Sequence, residues 1–240
     1  NKMRIRFKPW AREELETSPF YIDNPQLCKN KWKTVFNNDY PIYLELGCGK
    51  GNFISKLSYE NREKDINFIA IDLVDSMLGI AKRNVEKEYG IRITLDKEEI
   101  ENEIEKQNVV KNLKLTRYDI ALINNIFGED DNIQRIYINF CNPWPRGKHH
   151  KKRLTHQRQL EQYKQFLNED GYIFFKTDDD YLFEDSIKYF NEAGFEIEKK
   201  TYDLASEENF WLGEDNIETE HERMFKKDGI KIKALIAKKV

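Results

Sequence analysis

Residues 138–156 read INFCNPWPRGKHHKKRLTH, an apolar strand-like run that ends on a polar amide and then on dense positive charge. Pro143 and Pro145 fix backbone torsions around Trp144, so the Asn142 side chain can be presented at small entropic cost. Arg146, Lys148, Lys151, Lys152 and Arg153 follow within eight residues, a concentration suited to phosphates. Upstream, IYLELGCGKGNFISKLS carries Gly47, Gly49 and Gly51 between an apolar strand and an apolar-periodic helix. Glycines at alternate positions let a chain turn tightly and bring its backbone against a ligand with no Cβ in the way. Glu45, an acid at the end of a buried strand, is costly unless it faces a ligand. Asp72 closes the next strand in FIAID, where a carboxylate could accept both hydroxyls of a ribose or could cap the helix that begins near Val74. The chemistry implied is a nucleotide-like ligand beside a polyanion.

The elements that must position these groups are legible from periodicity. Short β-branched or aromatic runs at 42–46, 66–72, 117–123, 135–140, 171–177, 195–204 and 231–238 alternate with amphipathic stretches. Met77, Leu78, Ala81 and Val85 form one helical stripe, Leu160, Tyr163, Phe166 and Leu167 a second, and Ile187, Phe190 and Ala193 a third that stops at Gly194. The pattern predicts an α/β fold, a mostly parallel seven-stranded sheet with helices on both faces. Residues 1–40 read as a basic extension packing on a single domain at 41–240, and the charged segment 86–114 as an insertion outside the core. Ligands of open α/β sheets bind at the carboxyl ends of the strands, which places Asp72, Asn142 and the glycine loop together.

Composition narrows the classes. Lys+Arg 40 against Asp+Glu 43 leaves a formal charge of −3 over 240 residues, so any polyanion site is local. Three cysteines without CxxC spacing favour a reducing compartment, with the cytoplasm as the default. No apolar run approaches the ~20 residues of a membrane helix, so no membrane association is expected. His149 and His150 lack a third ligand at metal spacing, and Asp178 to Asp180 read as a helix N-terminus, so no metal is expected.

The glycine loop with Asp72 resembles the S-adenosylmethionine site of Rossmann-like class I methyltransferases. The whole chain from about Met3 resembles the bacterial tRNA (guanine-N7)-methyltransferases, on RIRFKPW, KWKTVF, the glycine loop, NFCNPWPRGKHHKKRLT, FFKTDDDYLF and NIETEHERMF. The resemblance implies methyl transfer from S-adenosylmethionine, leaving S-adenosylhomocysteine, to a guanine at position 46 in the variable loop of tRNA. It implies cofactor binding by Glu45, Gly47, Gly49, Gly51, Asp72, Asn142 and Asn124 (or its neighbour Asn125) at the adenine. It places Asn142 next to the methyl-transfer site and substrate binding at Arg146, Asp178, Thr219, Glu220, His221 and Glu222; the basic run adds Lys148 to the substrate side, and Asp178 is a second candidate for catalysis. The chain departs from the family where Asn142 and Asn124 stand at places commonly acidic. A monomer or homodimer with no obligate protein partner is expected.

Guanine N7 has an in-plane lone pair and no hydrogen, so its methylation needs no general base. An Asn at 142 therefore slows rather than abolishes transfer, with Asp178 an alternative source of nearby negative charge. Glu220 or Glu222 fits the adjacent donors of the guanine Watson–Crick edge. Arg146, Lys148, Lys151, Lys152 and Arg153, with Arg4, Arg6 and Lys8, suit tRNA phosphates, and Trp144 or Trp10 a stacked base. Two other readings fit parts of the sequence: an exocyclic-amine nucleic-acid methyltransferase, since Asn-Pro-aromatic can accept from an amine, and a non-catalytic tRNA-binding module.

Overall fold

The computed structural model describes residues 6–91 and 109–240. Eight strands form one sheet: β1 (Tyr21–Ile22), β2 (Ile42–Leu46), β3 (Asn67–Asp72), β4 (Leu113–Arg117), β5 (Ile133–Asn139), β6 (Leu167–Thr177), β7 (Phe195–Thr201) and β8 (Lys233–Lys239). Their order is β1-β4-β3-β2-β5-β6-β8-β7, and only β8 runs against its neighbours. Strands β2, β3 and β5 are buried on both faces, and their apolar side chains feed two clusters. That is why they read as near-continuous apolar runs rather than as alternation.

Among the described residues the helices are α1 (Pro9–Thr17), α2 (Trp32–Phe36), α3 (Asn52–Glu60), α4 (Asp75–Glu88), α5 (Gln157–Lys164), α6 (Asp180–Glu192) and α7 (Glu220–Lys227). The first and third stripes fall on α4 and on α6 with its C-cap Ala193, with Leu78, Ala81, Val85 and Phe190 buried; of the second, Leu160 and Tyr163 are buried on α5, whereas Phe166 lies beyond the helix and Leu167 opens β6. Gly194, at φ +79°, ends the third as expected.

Three expectations need correction. The third strand is β4 at Leu113–Arg117, not 117–123; Ile120–Asn125 is a 3₁₀ turn capped by Asp119. Apolar residues there at three-residue spacing suit either state. Segment 86–114 is not wholly outside the core, since Glu86, Val110 and Leu113 are buried, with Glu86 ion-paired to Lys82; residues 92–108 lie outside the described residues. The eighth strand comes from the N-terminal region, where β1 adds to β4 through Tyr21–Leu115 and Ile22–Thr116 pairs. Helix α1 lies on α4, with Glu14 bridging Lys82 and Arg83, and Leu15, Phe20 and Trp32 have no solvent exposure.

Candidate active site

Strand β2 delivers Glu45 to a place where only 2 % of the residue is exposed. One carboxylate oxygen accepts from Asn139 Nδ2 of β5 at 2.9 Å, and the other has no hydrogen-bond partner among the described residues. Burial pushes this acid up to about 8, against the Asn139 hydrogen bond and the Lys176 charge, which pull it down, while Asp72 adds to the rise. A buried acceptor without a donor is expensive unless a ligand supplies one.

After β2 the chain turns through Gly47, Gly49 and Gly51, all in left-handed conformation (φ +74°, +53° and +73°). Gly51 also packs α3 against α4, because a Cβ there would meet Ala81 Cβ at 2.7 Å. Nothing lies within 4 Å of a Cβ built on Gly49, so that glycine leaves open space toward the cleft. The loop is tied to β3: Gly49 N–H donates to Asp72 Oδ2 at 2.9 Å, while Val74 N–H donates to Asp72 Oδ1 at 3.0 Å. Asp72 thus keeps a fixed orientation with lone pairs to spare, and burial raises its carboxyl above the ordinary value.

Two adjoining hollows meet at Gly47 and Phe140. The larger, about 820 Å³, runs over Asp72, Leu73, Tyr118, Asp119 and Ile120 to Asn142, and its far wall is Lys148, Lys151, Lys152 and Arg158. The smaller is walled by Glu45, the glycine loop, Met77 and Asn139 on one side and by Thr219, Glu220, His221 and Met224 on the other. His221 stacks on Phe140, ring centres 5.9 Å apart, which draws the start of α7 over the end of β5.

The loop after β5 is bent twice by bulky residues at positive φ, Phe140 (+52°) and Trp144 (+42°). Such conformations in large side chains are uncommon and cluster at functional sites. Asn142 is exposed at the mouth of the larger hollow, and its Oδ1 accepts from Trp144 N–H at 3.1 Å. Lys152 lies 5.0 Å over the Trp144 ring and His149 sits edge-on to it. Trp10 is covered instead by the Arg83 guanidinium at 3.4 Å.

The structure redistributes several expected residues. Asn124 does not reach the larger hollow: it bonds Gln165 across a separate surface dip beside Lys29 and Phe127, and Asn125 bonds Tyr118. The acid at the end of β4 is Asp119, hidden in the sequence by the misplaced strand. Glu222 is 1 % exposed and ion-paired with Lys176, with its other oxygen accepting from Asn216 at 3.0 Å, so Glu220 alone of the two is open to a base. Thr219 caps α7 by accepting from Glu222 N–H at 3.2 Å. Arg153 is 1 % exposed and is not available to phosphate. Arg146 is exposed at the head of the turn Gly147–Lys152. Asp178 follows β6, half-buried, its carboxyl raised by burial and its backbone carbonyl accepting from Lys233 Nζ at 3.1 Å. Sequence reasoning missed Asp119, Phe140, Asn139, Arg158 and Lys176; of these only Asn139 and Phe140 had a signal, their adjacency to the Asn-Pro motif. Arg4 lies outside the described residues.

The donor set fits an adenosyl sulfonium amino acid. Asp72 has acceptors for ribose hydroxyls, Leu73, Tyr118 and Ile120 line the place for a flat base, and the unpartnered Glu45 oxygen suits an ammonium. Among the described residues no group of three or more His, Cys, Asp or Glu could hold a metal ion, and no helix is long and apolar enough to cross a membrane.

Comparison with known proteins agrees. A family model described as "Putative methyltransferase" matches residues 39–235. The chain is 55% identical to a tRNA (guanine-N(7)-)-methyltransferase of Clostridium beijerinckii, over 99% of both chains. It is 55% identical to one of Clostridium botulinum, over 98% of both. Among solved structures, the aminoglycoside resistance methyltransferase NpmB1 superposes at a TM-score of 0.53 with 14% identity, covering 88% of this chain and 94% of that one; this likeness speaks for the fold.

Proposed function

The chain belongs to the tRNA (guanine-N(7)-)-methyltransferase family and transfers a methyl group from S-adenosylmethionine to N7 of a guanine in tRNA; we propose that the target is guanine 46 of the variable loop and that the residues described above divide the work. The observation that carries this division is the larger hollow, where Asp72, Asp119 and Asn142 share one cleft with a lysine and arginine wall.

S-adenosylmethionine, when bound, supplies an electrophilic methyl group. Asp72 would accept from its ribose hydroxyls and Asp119 from the adenine amine, while Glu45 would face the ammonium. Because Glu45 is pushed up to about 8 by burial, it is mostly protonated at neutral pH until a neighbouring cation draws the proton off. Glycines 47 and 49 let the backbone approach without a Cβ between. Glu220 accepts from the guanine Watson–Crick edge, and His221, held on Phe140, stands beside it. Lys148, Lys151, Lys152, Arg158 and Arg146 neutralise phosphates on either side of the target nucleotide.

No residue need remove a proton from N7, so the protein's task is alignment and favourable dipoles around a base that becomes cationic. Asn142 Oδ1 supplies one such dipole and Asp178 a longer-range negative charge. The direct test is to incubate the protein with tRNA and S-adenosylmethionine and map the product. Borohydride and aniline should then cleave at one variable-loop guanine. Methylated but uncleavable RNA indicates an exocyclic amine instead, and no methylation with intact tRNA binding indicates a binding module.

A further inference from the structure

We propose that Arg153, placed by the sequence among the RNA-binding cations, is a positioning residue that splints the Asn142 loop against α6 and so governs the transfer step rather than tRNA affinity. This rests on the reading above that Asn142 stands beside the reacting atoms.

The side chain runs inward from the end of the basic turn and is 1 % exposed. Its Nε donates to the carbonyl oxygen of Pro143 at 2.8 Å, the residue that follows Asn142. Its Nη1 donates to Asp185 Oδ2 at 2.6 Å and to Tyr189 Oη at 3.2 Å, both on α6. Two residues on, Thr155 and Ser186 share a buried hydroxyl–hydroxyl bond of 2.7 Å that closes the same seam. A planar guanidinium can grip a carbonyl on one edge and a carboxylate on the other at fixed relative geometry; an ammonium cannot.

The need for such a splint lies in the loop itself. With Phe140 and Trp144 both at positive φ, the segment holds an unfavourable backbone that relaxes unless neighbours over-determine it. The Asn142–Trp144 hydrogen bond is internal to the loop and cannot fix it to the body of the protein. Arg153 connects Pro143 to α6, which starts just after Asp178, so one side chain ties together the two segments that flank the transfer site. An N7 lone pair must lie in line with its target, and misplacement by about 1 Å can cost on the order of a hundredfold in rate.

The test separates alignment from charge. Arg153→Lys, Asp185→Asn and Lys151→Ala are compared by single-turnover methylation of tRNA, by tRNA affinity across a salt series, and by melting. Arg153→Lys keeps the charge and loses the fork, so the proposal expects a fall of about tenfold or more in the transfer rate. Its tRNA affinity and the slope of affinity against salt should stay within error. Asp185→Asn should move the same way, and the double variant should be little worse than either single one, as partners in one linkage are. Lys151→Ala, which removes a proposed phosphate contact, should instead lower the salt slope by about one. If Arg153→Lys leaves the rate intact, or Arg153→Ala lowers the salt slope as Lys151→Ala does, the proposal is overturned. Should Arg153→Ala not fold, the Lys and Asn variants still decide the matter. Asn142→Ala assayed in parallel keeps the two ideas apart: an unaffected rate there refutes the role of Asn142, whatever Arg153 shows.

Discussion

On the proposed assignment Asn142 faces the reacting base, where an amide oxygen offers a partial charge and a carboxylate would offer a full one. An ionised acid stabilises a purine turning cationic better than a neutral dipole does. Asn142→Asp should therefore raise the single-turnover rate several-fold, and Asn142→Ala should lower it below the natural chain; an acid variant no faster than Asn would remove the electrostatic role. Glu45 makes a second prediction. An acid raised from 4.5 to about 8 makes the folded chain the stronger proton binder across that interval, so stability is full below it and declines as pH rises through it. Glu45→Gln should gain in melting temperature over the natural chain more at about pH 8.5 than at about pH 5.5. Binding of a cationic cofactor analogue to the natural chain should strengthen as pH rises through the same range. At this scale the sequence conveyed residue type but not environment. The pairing of Asp72 with the glycine loop was legible because that spacing has a mechanism, whereas Arg153 and Glu222, read as contacts for phosphate and for guanine, proved buried.

At the scale of elements, the site depends on how α7 is fixed over the end of β5. Thr219 caps the helix, and Lys176 of β6 holds Glu222 from beneath, this ion pair being 1 % exposed on both sides. Lys176→Met leaves Glu222 charged and unpaired in the interior, a change that costs about 3–5 kcal/mol; chemical denaturation should register that loss. Thr219→Ala should cost about 1 kcal/mol and weaken tRNA turnover more than cofactor binding. The element boundary that escaped sequence reading explains the one displaced cofactor residue. LKLTR carries two basic residues in five and follows a highly charged segment, so its alternation of Leu113 and Leu115 was overshadowed by the apolar cluster at Ile120–Ile123. Moving the strand end back to Arg117 brings Asp119 to the cleft and leaves Asn124 outside it. Strand β1, only two residues long, gave no periodicity to detect.

On the scale of the whole molecule, a near-neutral chain lines one wall of one cleft with Lys148, Lys151, Lys152 and Arg158. Tight tRNA binding must then be salt-sensitive out of proportion to net charge. Reversing Lys148, Lys151 and Lys152 together should flatten the dependence of affinity on salt by about three units of slope, one for each lost phosphate contact. The N-terminal region is part of the same body, since Leu15, Phe20 and Trp32 are wholly buried against it. Alternation of strands and helices made the parallel sheet readable from sequence, because each crossover needs an amphipathic helix; the packing of residues 9–36 onto α4 and β4 carried no such repeat. In the proposed site Asp72 and Asp119 hold the adenosyl group with the glycine loop beneath and Asn142 at the transfer end. A crystal structure with S-adenosylhomocysteine tests it most directly. Ribose hydroxyls on Asp72, the adenine amine at Asp119 and the amino-acid end at Glu45 are expected. An adenine lodged beside Asn124 and Lys29, or a ligand outside the cleft, would contradict it.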